Sequence, residues 1–198
     1  AWGRVLRETI RRNRVRNGLV YLQVSRGVAR RDFFFPAPDT LPTVICLARR
    51  LSSTKAESQA AKGIAIQSTP DVRWGRCDIK TVMLLPATMA KQRARESGAN
   101  DAWFVDEKGY VTEGASANAW ILDRDGKLVT RALDNAILPG VTRATLLDVL
   151  KREGIAVVER PFTIEEAQGA REAFITSATS LVMPVVTIDG KQVGNGAP

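Results

Sequence analysis

Four short stretches of this 198-residue sequence bring together side chains that could do chemistry. Lys80 stands in the run RCDIKTVMLL at 76–85, among apolar neighbours. Desolvation by such neighbours lowers a lysine pKa and favours the nucleophilic amine that Schiff-base formation needs. The alternative is a lysine that snorkels outward from a strand end. Glu113 lies in VTEGASAN at 111–118, a strand end running into small residues. Small residues let a flat ligand approach the backbone, and the carboxylate could pair with a ring nitrogen. A plain turn glutamate is the rival reading. At 137–143, ILPGVTR leads into a helix whose free amides, with the Thr142 hydroxyl, would suit a phosphate. Ordinary N-capping by Thr142 explains the same pattern. The hydroxyl-rich cluster TSATS at 176–180 follows a strand and says little alone.

Composition removes other chemistries. The sequence contains no histidine, which excludes Ser-His-Asp and Cys-His catalysis and His-ligated metals. Acid–base work falls to Lys, Asp, Glu, Tyr or Cys. Cys46 and Cys77 form no close pair and match no metal or redox motif, so no metal is expected and a reducing, cytoplasmic setting is the simplest reading. The net charge of +8 is concentrated in part between Arg4 and Arg16, where Arg7 and Arg11 share a helix face. Without interleaved aromatics this reads as a solvated face, and neither nucleic acid nor membrane is expected as a partner.

The elements that must position these residues are mixed. Residues 3–17 read as a helix stopped by Asn17-Gly18, and 19–25 as a strand. One helix and one strand cannot bury their apolar faces alone, so partner elements are expected upstream. Residues 26–42, with three prolines around Phe33-Phe34-Phe35, read as a connection. Strands are expected at 44–47, 63–67, 101–105, 118–122 and 127–130, with hairpin turns at Asp125-Gly126 and Asp189-Gly190. Helices are expected at 83–97, at 142–153 and from Thr163, where Thr163 and Glu166 have capping-box spacing. Strands and helices without regular βαβ alternation indicate α+β.

In this order the segments resemble the fold-type IV enzymes that use pyridoxal 5′-phosphate, and the D-amino-acid aminotransferases among them. The pieces are RCDIK at 76–80, VTEG at 111–114 with Asn118, NAILPGVTR at 135–143, FITS at 174–177 and PVVTIDG at 184–190. The resemblance implies a large pseudo-barrel cofactor domain at 44–198, a connection at 38–43, and at 1–37 the remainder of a truncated small α/β domain. It implies Lys80 as the cofactor-bearing lysine that also moves the proton, and Glu113 as the partner of the pyridine nitrogen. Leu138 would pack on the ring, while Val141, Thr142, Ser177 and Ala178 would hold the phosphate. Arg31 would bind the substrate carboxylate, with Arg30 a rival.

The resemblance also implies a homodimer acting on an amino acid, D-alanine for example, and a 2-oxo acid. Branched-chain aminotransferase and 4-amino-4-deoxychorismate lyase activities are alternatives on the same fold, and a non-catalytic, basic anion- or nucleic-acid-binding protein is an alternative of another class. Three departures stand out. The family's early region, with a phosphate-binding arginine and pocket residues, has no counterpart in the sequence. Ala178 replaces a threonine, and Phe33 replaces a histidine beside Arg31.

Overall fold

The computed structural model describes residues 2–198 and divides into two units, one through Lys55 and one from Ala56 onward. In the first, α1 (Trp2–Arg12) is followed by β1 (Gly18–Ser25) and β2 (Thr43–Arg50). The two strands pair antiparallel from Gly18↔Arg50 to Ser25↔Thr43. On the exposed face of α1, Glu8 bonds both Arg11 and Arg12, whose side-chain hydrogen bonds draw its pKa down to about 2. Arg7 and Arg11 are both exposed, as a solvated face requires. No described residue of this unit is buried.

The loop 26–42 therefore joins two paired strands. A connection between domains was expected at 38–43, with residues from 44 onward in the large domain. Residues 43–50 hydrogen-bond with β1, and the division between the two units follows Lys55. It lies within α2 (Ser53–Ala60).

The second unit is built on a nine-stranded mixed sheet. Its strands are β3 (Ile64–Pro70), β4 (Asp101–Val105), β5 (Val111–Gly114), β6 (Asn118–Leu122), β7 (Leu128–Thr130), β8 (Val157–Glu159), β9 (Glu172–Ser177), β10 (Leu181–Ile188) and β11 (Lys191–Gln192). Their order is β5-β4-β3-β10-β9-β6-β7-β8, with β11 beside β10. The sheet curls until its ends meet. Beyond β8, the Phe162 carbonyl accepts from Val111 N of β5 at 2.9 Å, and Tyr110 bridges to Thr163. The α+β class and the pseudo-barrel are both present.

Alternation along the strands gives the sheet two buried faces. Trp103 of β4, with Ala119 and Ile121 of β6, points inward to a core that also holds Ile66, Val111, Phe162 and Ile188. The alternate residues face helices. Ala102 and Phe104 pack on Ala90 and Ala94 of α3 (Leu85–Glu96). Trp120 and Leu128 pack with Leu150 of α4 (Val141–Arg152). Burial on both sides accounts for the apolar character of these strands.

Turn chemistry follows the residues. Asp189 and Gly190 have φ of 52° and 74°, the left-handed pair of a tight hairpin, joining β10 to β11. Thr163 caps α5 (Ile164–Gln168), its hydroxyl accepting from Glu166 N at 3.2 Å. No helix among the described residues is long and apolar enough to cross a membrane.

Candidate active site

Segments of this second unit line a cavity of ≈850 Å³. Lys80, Glu113, Leu138, Val141, Thr142, Ser177 and Ala178 all line it. They arrive from four places: the segment after β3, the end of β5, the start of α4 with the residues just before it, and the end of β9 with the turn that follows. Arg31 lies in the first unit, on the exposed loop between β1 and β2, its guanidinium 5.9 Å from the Phe33 ring centroid. Arg30 is exposed on the same loop.

Lys80 is exposed, so the desolvation expected from its apolar neighbours is absent. The reason is that the run is not a core segment. Ile79, Val82, Met83, Leu84 and Leu85 are themselves 44–73% exposed. The amine lies on the cavity wall rather than among packed side chains.

Glu113 is the buried charge of the site, 6% exposed at the end of β5. Its Oε1 accepts from Arg73 Nη1 at 2.5 Å. Its Oε2 accepts from Asn118 Nδ2 and from Leu138 N, each at 3.1 Å. Burial pushes its pKa up, outweighing the opposing pull of the Arg73 charge, the Arg73 hydrogen bond and the Leu138 amide.

Arg73 was not legible in the sequence. It grips Asp71 from Nε and Nη2 at 2.9 and 2.7 Å, and reaches Thr112 Oγ1 and the Ala136 carbonyl. The Phe104 ring centroid is 4.4 Å away. Burial pushes the Asp71 carboxyl up, but the Arg73 bonds and charge with the Thr112 hydroxyl leave it below the usual range. The spacing of Asp71 and Arg73 just past a strand end was the one available signal, and a weak one.

The N-terminus of α4 faces the same cavity. Gly140 is its N-cap and no side chain caps it, so ordinary capping by Thr142 does not occur. The first-turn amides lack intrahelical acceptors, as at every helix start, and suit an anion. Arg143 anchors this turn from behind, 2% exposed and bonded to the Arg131 carbonyl at 3.0 Å and Glu159 at 2.5 Å. In the β9–β10 turn, Ser177 Oγ accepts from Ser180 N at 3.0 Å. A smaller depression beside Arg160 is lined by charges that already pair with one another, Arg160 with Glu166 and Asp123.

Comparison with known proteins gives this geometry a context. The chain is 38% identical to a D-alanine aminotransferase of Staphylococcus haemolyticus over 97% of its length, and 40% identical to one from Listeria monocytogenes over the same share. It spans about two thirds of those relatives, 67% and 66%. Among solved structures, the branched-chain amino acid aminotransferase of Escherichia coli superposes with a TM-score of 0.83 at 26% identity, over 98% of this chain and 64% of that one. A second branched-chain amino acid aminotransferase, from T.th. and with pyridoxamine 5′-phosphate, gives 0.83 at 27%, over 97% and 64%. The amino-transferase class IV family matches residues 1–188, and with it the chain belongs to the class IV aminotransferases.

Proposed function

We propose that the cavity binds pyridoxal 5′-phosphate through Lys80 and that the protein transfers an amino group between a D-amino acid, D-alanine foremost, and a 2-oxo acid. The observation that carries this reading is the convergence of Lys80, Glu113, Leu138, Val141, Thr142, Ser177 and Ala178 on one cavity wall. The D-alanine aminotransferase relatives at 35–40% identity favour the D-amino acid.

The residues present fit the cofactor. A buried carboxylate backed by Arg73 suits a protonated ring nitrogen, and the uncapped start of α4 suits a phosphate. Leu138 supplies an apolar contact for a flat ring. Ala178 offers its backbone amide, with the Thr179 hydroxyl beside it.

When bound, the cofactor supplies an electron sink for charge left on the substrate Cα. Lys80 Nζ would take up the proton from that Cα and give it back, acting as base and then as acid. Glu113 would accept a hydrogen bond from the protonated ring nitrogen, and the Arg73 charge opposes the rise in pKa that burial imposes on that carboxylate. Arg31 binds the substrate carboxylate bidentately.

A homodimer is part of the same proposal. The apolar side chains at 82–85 are 55–73% exposed, as is expected of a surface covered by a second copy. A reducing, cytoplasmic setting is supported by the free Cys46 and Cys77.

The test uses the purified full-length protein with its cofactor. Reduction with borohydride should leave a phosphopyridoxyl group on Lys80 in peptide mass spectrometry, and Lys80→Ala should lose both the visible absorbance and turnover. A Lys80→Ala protein with unchanged turnover would overturn the assignment. The likeness to branched-chain enzymes at 26–27% identity keeps a second substrate class in view. Assaying D-alanine beside L-leucine separates the two, and repeated turnover of 4-amino-4-deoxychorismate to pyruvate without a 2-oxo acid acceptor would mark a lyase.

A further inference from the structure

Gly140 precedes α4 with φ −64° and ψ 133°, a conformation open to any L-residue. Its missing side chain is therefore a matter of space. A Cβ at this position would lie 2.2 Å from Asn118 Oδ1, far inside contact distance. Outside that carboxamide, the nearest atom is Arg143 Cβ at 3.7 Å, an ordinary contact. Asn118 alone stands in the way.

Asn118 opens β6 and is 5% exposed. Its Nδ2 donates to Glu113 Oε2 at 3.1 Å and to the Leu138 carbonyl at 3.0 Å. Two acceptors on that side fix the amide's orientation, since an oxygen there would face two others. Leu138 N closes the ring by donating to the same Oε2. One carboxamide thus joins the buried carboxylate to the segment that turns into α4.

We propose that Asn118 is a positioning residue that couples the Glu113 carboxylate to the phosphate-binding turn at 138–142, and that residue 140 is glycine to admit it. This rests on the reading of the cavity as a pyridoxal phosphate site. The coupling means that a group seated on the α4 amides and a group held by Glu113 are located by one rigid frame. Losing the frame weakens both ends at once.

The experiment compares Asn118→Ala, Gly140→Ala and the double variant in the full-length protein. It measures pyridoxal phosphate dissociation by fluorescence and the 31P resonance of the bound cofactor. Removing a hydrogen bond to a charged group should weaken binding about tenfold in Asn118→Ala. Gly140→Ala should lose at least as much, because its Cβ pushes the carboxamide off both acceptors. The double variant should be no worse than Asn118→Ala. The 31P signal should move in Asn118→Ala, although its carboxamide is already committed to Glu113 and Leu138.

Losses that add in the double variant, or a 31P signal that does not move, would overturn the coupling. Melting of the cofactor-free proteins guards against misfolding. If Gly140→Ala alone does not fold, recovery of a melt in the double variant supports the clash, and continued failure counts against it. A wild-type protein that binds no pyridoxal phosphate would instead overturn the reading of the cavity.

Discussion

Arg73 and Glu113 form the buried ion pair of the site, 2.5 Å between Nη1 and Oε1, with side chains 13% and 8% exposed. The Nε and Nη2 donors of the same guanidinium go to Asp71, Thr112 and the Ala136 carbonyl. One planar cation therefore holds two carboxylates apart and tethers the chain just before Leu138. A lysine has one charged atom and lacks the planar fork that these partners use.

Arg73→Ala leaves the half-buried Asp71 and the buried Glu113 without their counter-ion. Loss of one member of a buried pair costs about 3–5 kcal/mol, against about 1 kcal/mol for an exposed pair. Urea unfolding should show the larger loss for Arg73→Ala, with Arg73→Lys between it and wild type. Arg76→Ala, which breaks an exposed pair with Asp78, serves as the reference and should lose little. Equal small losses for the two alanine variants would show the Arg73 pair to be dispensable for stability.

The two carboxylates make opposite demands on pH. The folded-state pKa of Asp71 is lowered, so its stabilisation is present above its unfolded value and is lost as pH falls through the folded value. The folded-state pKa of Glu113 is raised, so its contribution is full below the unfolded value and is lost as pH rises through the folded one. Asp71→Asn should flatten the fall in stability on acidification. Glu113→Gln should remove the opposing contribution and steepen it. Urea midpoints between neutral pH and the acid range read both slopes.

What the residues reveal in advance depends on whether their partners are near in sequence. The strands at 101–105 and 118–122 were placed to the residue, because burial on both faces and bounding turns are written locally. Thr163 and Asp189-Gly190 likewise announce a cap and a hairpin. Lys80 was misjudged in its surroundings, since an apolar run does not say whether anything covers it. Arg73 was missed because its partner Glu113 is forty residues on, beyond any local pattern. The prolines of 26–42 imitate a linker, while the β1–β2 register that closes over them is nonlocal. Asn118 stood in the motif series, but only Gly140 in space explains its amide.

The α5 cap gives a small, local prediction. The Thr163 hydroxyl accepts from Glu166 N, and Tyr110 bridges to the same residue where the sheet ends meet. Thr163→Ala should cost about 1 kcal/mol, and Thr163→Ser should retain most of it. Chemical unfolding of the two variants decides this. Cofactor affinity should stay near wild type, since the cap does not line the cavity.

Arg31 offers the test of substrate selection. It is exposed on the loop between β1 and β2, with the Phe33 ring as its neighbour and Arg30 beside it in the chain. A guanidinium that grips a carboxylate through charged hydrogen bonds contributes about 1.5–3 kcal/mol, or roughly ten- to a hundredfold in affinity. Arg31→Ala should raise the KM for D-alanine by that factor and leave the bound cofactor's absorbance unchanged. Arg30→Ala should have little effect, and the reverse pattern would transfer the role to Arg30. Phe33 is 94% exposed, so a change there is free of packing cost. Phe33→His adds a second donor beside the guanidinium and should lower the KM for D-alanine, whereas an unchanged KM would show that Arg31 binds the carboxylate alone.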